Sequence, residues 1–246
     1  MIELRHFLLS VGLGLLTVHT ASAKPASVAS ISTEDLLEFT EQPEEVRQLI
    51  STALSLTEKK LTYTFGSNSP ANSGMDCSGT VQFALKSLGI EEVPRSSYQF
   101  YQWVEARGEL KETRGVKTTE DPVFEPLKPG DLLFWEGTYD TGKKNPPISH
   151  VMIYLGTLKA DGKGVVFGAS DGRRFRGKKI TGVSVFDWKV PSSSSTSKFV
   201  GFAPIPDLVK EIPVVQSAAQ KANEQPLKSL KSGLEKLFKK RETSQR

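Results

Sequence analysis

The only cysteine of the chain, Cys77, stands at the head of Asp76-Cys77-Ser78-Gly79-Thr80-Val81-Gln82-Phe83-Ala84-Leu85-Lys86-Ser87-Leu88-Gly89. Positions 77, 81, 84, 85 and 88 are apolar while 82 and 86 are polar, so the run reads as a helix that begins on the thiol and stops at Gly89. A free thiol has a pKa of about 8.5 and strongly activated ones reach about 4, a change of roughly 6 kcal/mol. A helix terminus supplies at most about 2 kcal/mol of this. The remainder calls for a cation, and an imidazolium that takes the thiol proton and stays as its ion pair is the expected one.

The chain offers three histidines, His6, His19 and His150. The first two lie in a stretch that reads as removable, which leaves Cys77 with His150 as the only dyad if the fold joins them. A cysteine that merely packs would have apolar neighbours, whereas Asp76, Ser78 and Gly79 are polar or small. An exported free thiol also points to reactivity.

Residues 1–23 hold Arg5, an apolar run over 7–18 and then Ala21-Ser22-Ala23, the order of a secretory signal cleaved after Ala23. The apolar run is shorter than the roughly 20 residues that span a bilayer. Export to the periplasm, cell wall or exterior is therefore expected, and with one cysteine there is no internal disulfide. Residues 24–44 read as a leader whose first part is flexible, with Ser32 or Thr33 capping a short helix. The catalytic-size domain is expected over 45–204, and a monomer is expected.

Within that domain Val46, Leu49, Ile50, Ala53, Leu54 and Leu56 form a helical stripe over 44–57. Residues 66–74 are a turn, Ser96 caps a helix reaching Val104, and 105–126 is read as loop or short strand. Strands are expected over 132–135, 149–155, 165–169, 183–186 and 199–202. Helices first and an antiparallel sheet afterwards is an α+β layout.

Residues 205–246 hold nine Lys or Arg against five Asp or Glu, which accounts for the net charge of +4. Residues 24–204 are then close to neutral, and nucleic-acid binding has no support. Leu227, Leu230, Leu234, Leu237 and Phe238 recur at helical spacing beside lysines, a basic amphipathic tail helix. It either packs on its own domain or meets an anionic membrane or wall surface. One cysteine and one histidine cannot build the usual metal shells, so neither metal nor cofactor is expected.

Five ordered blocks resemble the NlpC-type cell-wall cysteine peptidases, which are papain-like. They are Tyr63-Thr64-Phe65-Gly66, Asp76-Cys77-Ser78-Gly79, Pro94-Arg95-Ser96-Ser97-Tyr98-Gln99, residues 127–131, and Ser149-His150-Val151-Met152-Ile153-Tyr154-Leu155-Gly156. The resemblance implies a papain-like α+β fold and hydrolysis of amide bonds in peptidoglycan stem peptides, between D-glutamate and a diamino acid. It implies Cys77 as nucleophile, His150 as general base and Tyr63 as a donor to the oxyanion. Asp76, Ser78, Arg95 and Ser149 fall at positions expected to bind substrate.

The resemblance breaks at the third catalytic position. Family members usually carry a histidine there, and the alignment puts Gly168 in its place. Asp171 is the first substitute, since a carboxylate also stabilises an imidazolium, with Ser170 next; a backbone carbonyl or water is a third option. The gap leaves three readings open: a peptidase, a silent homologue that binds wall peptides, and an acyltransferase on the same fold.

Overall fold

The computed structural model describes residues 26–209; the signal segment and the tail helix anticipated above lie outside them. The described elements are α1 (Glu44–Glu58), β1 (Thr62–Tyr63), β2 (Gly74–Met75), α2 (Cys77–Ser87), α3 (Ser97–Glu105), β3 (Lys111–Glu112), β4 (Leu132–Glu136), β5 (Ile148–Thr157), β6 (Gly164–Phe175), β7 (Lys178–Asp187) and β8 (Lys198–Ala203). Strands β3 to β8 form one six-stranded antiparallel sheet in the order β3-β8-β4-β5-β6-β7. Strands β1 and β2 pair in parallel beside it. This is the α+β arrangement that the order of elements in the sequence implies and the papain-like one that the resemblance implies.

The sheet is covered on both faces, which is why β4 reads as an unbroken apolar run rather than an alternation. Leu132 and Phe134 join Val151, Ile153 and Leu155 of β5 in one core with the helices. Leu133 and Trp135 join Met152, Tyr154 and a set of aromatics in a second core on the other face. Helices α2 and α3 lie over β5, and α1 lies over β7. The apolar stripe of α1 is buried as its periodicity predicts.

One segment departs from the sequence expectation. Residues 26–44 are not a loose leader: Ser27 exchanges backbone hydrogen bonds with Thr181 at 2.8 and 3.1 Å, and the Val185 N–H donates to the Ala29 carbonyl at 3.0 Å. The segment covers the otherwise open edge of β7, which relieves the unpaired backbone of an edge strand. The Ser32 side chain does cap a short 3-10 turn over Thr33–Asp35. The stretch 105–126 is loop with the short strand β3, as expected, and it closes the aromatic core, where Phe124 meets Trp188 edge-on with ring centroids 5.5 Å apart.

The turn into β4 holds a carboxylate under strain of burial. Asp131 is 7% exposed and accepts the Lys128 N–H at 2.9 Å. Burial nevertheless pushes its carboxyl up to about 6. A carboxyl raised above its unfolded value of about 3.9 stabilises the fold fully below that pH and loses the contribution as pH climbs through the folded value. Asp131→Asn keeps an acceptor for Lys128, so it is expected to gain about 2 kcal/mol at pH 7 and close to nothing at pH 4. Urea unfolding at both pH values checks this; equal effects at the two would refute it.

Candidate active site

The thiol is presented by a cap that several distant segments build together. Asp76 begins α2 and accepts the Gly79 N–H at 2.6 Å on Oδ1, the N-cap arrangement that satisfies an orphan donor of the first turn. Its Oδ2 accepts the Gly66 N–H at 2.8 Å. The Arg95 guanidinium donates to both oxygens, at 3.1 and 2.7 Å, and to Ser78 Oγ at 3.1 Å. One helical turn on, the Gln82 amide accepts from Asn68 at 2.7 Å and donates to the Val93 and Pro94 carbonyls at 3.0 Å each. Gly79 lets the loop come this close, since a Cβ there would stand 2.2 Å from the Ser67 carbonyl oxygen.

These contacts bear on four residues expected to bind substrate. Asp76 and Ser78 are 6% and 5% exposed and are tied to each other and to Arg95. Ser149 is fully buried, and its hydroxyl accepts from Thr138 N and Oγ1 at 2.9 and 2.7 Å. In this structure the four frame the site: three set the start of α2, and Ser149 anchors the loop that follows β4.

Cys77 meets β5 one residue from His150. The backbone N–H groups of Val151, Ser78 and Cys77 favour the anionic form of its sulfur. The last pairing between β5 and β6 at this end is Ile153 with Phe167, so the Val151 N–H is left for the thiol rather than for β6. Val151 pairs with Phe134 on its other side, and His150 pairs with Trp135.

The ionisation differs from the preformed ion pair anticipated from the sequence. Burial outweighs the three N–H groups, and the thiol is pushed up to about 11. Burial, followed by the charge of Arg173, holds the His150 imidazolium well below its ordinary range. The resting pair is therefore a neutral thiol and a neutral imidazole. Thiolate character rises tenfold per pH unit up to about that value, and the higher basicity of the anion offsets only part of the loss. Iodoacetamide is thus expected to label Cys77 at pH 7.5 at least about tenfold more slowly than free cysteine. Faster labelling would mean an ion pair in the resting protein. Slow labelling by itself does not separate an enzyme from a binding protein.

His150 opens on a groove of about 910 Å³ shared with Tyr63, Tyr139, Ser170, Asp171 and Arg173. Cys77 is 4% exposed and does not itself line the groove, but its charge acts on both Tyr63 and Tyr139. Burial, then the Cys77 charge, raises the Tyr63 phenol, so it is a hydroxyl donor at neutral pH. His150 Nε2 is buried without a hydrogen-bond partner among the described residues.

At the third position, a Cβ on Gly168 would stand 3.0 Å from Met152 Cγ and 3.3 Å from its Cε. Met152 occupies the space a larger residue at 168 would need. Ser170 and Asp171 do reach the groove, yet the charge that acts on His150 is that of Arg173, a guanidinium where a carboxylate was expected. The β6–β7 ladder pairs Ser170 with Gly182 and Asp171 with Thr181, then shifts before Arg174, with Gly172 at φ 121°. The bulge re-aims Arg173, whose guanidinium lies 4.1 Å over the Trp135 ring. Trp135 in turn meets the His150 ring at 5.8 Å. Among the described residues, no group of three or more His, Cys, Asp or Glu is arranged to hold a metal ion.

The sequence model of the NlpC/P60 family matches residues 60–182, half of the chain, from β1 through Cys77 and His150 into β7. The chain belongs to the NlpC/P60 family. The gamma-DL-glutamyl hydrolase of Bacillus subtilis (strain 168) is 34% identical over 151 residues, covering 58% of this chain and 31% of that protein. The chain thus spans about a third of the length of the curated relative it matches. A lipoprotein-like NLP/P60 family structure from Staphylococcus aureus subsp. aureus Mu50 is 22% identical with a TM-score of 0.41, covering 67% of this chain and 42% of that one. An NlpC/P60 endopeptidase from Photobacterium damselae subsp. piscicida is 16% identical with a TM-score of 0.30, over 59% and 36% of the two chains.

Two features of this NlpC/P60 site escape sequence reasoning. Tyr139 sits in the polar loop after β4 and meets Phe65 edge-on at 5.7 Å, a contact between residues far apart in the chain. Arg173 lies in the basic run Arg173-Arg174-Phe175-Arg176 and reads as one surface charge among several. Gly172 within a strand was the one signal that could have pointed to it, because an isolated strand glycine often marks a bulge.

Proposed function

We propose that this protein is an exported cysteine peptidase that hydrolyses amide bonds in peptidoglycan stem peptides, with the bond after D-glutamate as its target. The observation that carries this reading is Cys77 at the head of α2, behind the Asp76 N-cap and packed on β5, the strand that carries His150. Because the resting pair is neutral, His150 takes the thiol proton as the sulfur attacks the carbonyl carbon. The oxyanion that forms is met by the Tyr63 hydroxyl and the Cys77 N–H. His150 then protonates the leaving amine as the C–N bond breaks, and water hydrolyses the thioester and restores the thiol. The name of the Bacillus subtilis relative, a hydrolase of glutamyl bonds, supports the substrate side of the reading.

Export rests on the signal-like residues 1–23, and contact with an anionic surface rests on the basic segment 227–241. A second reading, a homologue that binds wall peptides without cleaving them, is favoured by one observation: His150 Nε2 has no partner among the described residues, and Gly168 cannot supply one. Incubation of purified muropeptides with residues 24–246, followed by mass spectrometry, separates the two. The peptidase reading expects two fragments whose masses add up to the parent plus one water. Intact muropeptide retained on the protein, with no fragments, would replace it with the binding reading.

A further inference from the structure

The cations around the groove are not equivalent. Arg174 donates to the Gly177 carbonyl at 2.6 Å, and Lys189 pairs with Asp187 at 3.5 Å. Arg173 has neither a hydrogen bond nor an ion pair to any described residue. Its guanidinium carbon lies 4.1 Å from the centroid of the Trp135 ring, in the groove that His150 and Tyr63 also line. Neither Asp171 nor Asp187, the two carboxylates of the groove, is among the charges acting on it; the one partner charge is that of Cys77. Burial lowers it to about 10, so it remains a cation at neutral pH that lacks an anion among the described residues.

A guanidinium over an indole face is steadied by the ring while its N–H donors remain able to meet a carboxylate at two points. We infer that Arg173 binds a substrate carboxylate beside the bond that is cleaved, so that the site selects stem peptides with a free glutamate carboxylate over those in which it is amidated. This inference rests on the peptidase reading and names the substrate feature that reading leaves open. The same contact has a second effect. With its charge neutralised by the bound carboxylate, Arg173 no longer opposes protonation of His150, which makes the imidazole a better base in the complex than in the free protein.

The test uses two stem tripeptides that differ only in the glutamate α-carboxylate, free in one and a carboxamide in the other. Turnover of both is measured with the full chain and with Arg173→Gln and Arg173→Lys, and binding of both is measured by calorimetry on Cys77→Ala with and without Arg173→Gln. Each readout is a ratio within one protein, so a variant that folds poorly does not distort it. The acid is expected to be preferred by about 10- to 100-fold in kcat/KM, the range of a charge-assisted contact. Arg173→Gln is expected to bring the ratio near one and Arg173→Lys to retain part of it.

Cleavage of both peptides with no preference, or a preference that survives Arg173→Gln, overturns the inference and leaves the peptidase reading intact. If neither peptide is cleaved, the peptidase reading fails while the calorimetry still decides: tighter binding of the acid that disappears with Arg173→Gln upholds the carboxylate contact, and equal binding of the two overturns it.

Discussion

Replacing His150 by alanine is expected to slow peptide cleavage by about ten-thousandfold, the size of effect seen when the base of a nucleophile–imidazole pair is lost or misdirected. The loss should be this large because the thiol cannot ionise unaided. Burial holds it at about 11, well above neutral pH, and the N–H groups from Val151, Ser78 and Cys77 do not compensate. Arg173 cannot substitute as a base, since it is already a cation. Steady-state kinetics on a stem peptide with variant and parent check the expectation. A loss of less than about tenfold would mean that the proton leaves by another route and would remove His150 from the mechanism.

Replacing Asp76 by alanine is expected to cost about 3 kcal/mol of folding free energy, the lower part of the range for breaking a buried ion pair because Arg95 is partly exposed. The carboxylate accepts from Gly66, Gly79, Ser78 and both ends of the Arg95 guanidinium. Alanine removes a helix cap and leaves a guanidinium without its anion. Asparagine still caps the helix through its oxygen but loses the charge and turns an NH2 toward donors on the other side, so Asp76→Asn should cost about 2 kcal/mol, less than alanine. Urea denaturation of the three proteins measures both numbers. If Asp76→Ala unfolds at the parent's midpoint but loses turnover, the carboxylate is a substrate contact and the framing role assigned to it is wrong.

What could be read in the sequence was whatever depends on neighbours along the chain. The N-cap, the apolar spacing and Gly89 define α2, and its observed span, Cys77–Ser87, follows from them. The same is true of the Ser96–Gln99 capping box that opens α3. The ionisation of the dyad was not legible, because a thiol's pKa depends on how much water the fold excludes and no local pattern encodes that. Asp76 and Arg95, 19 residues apart, could each be flagged as polar site residues, but their being spent on each other is a tertiary fact. The third position failed for a different reason. Strand alternation carries a face assignment forward only while the register holds, and the shift after Asp171 breaks it, so the groove receives Arg173 from beyond the bulge. Met152 against Gly168 is likewise a cross-strand exchange of volume that neither strand discloses alone.

The account turns on the sulfur of Cys77 forming a bond to the substrate carbonyl. Acid-quenching the protein during turnover of a stem peptide and mapping the adduct by mass spectrometry tests this most directly. The expected result is an acyl group on the peptide that contains Cys77, absent from Cys77→Ala, which also releases no product. Fragments released equally well by Cys77→Ala, with no adduct on the parent, would contradict it.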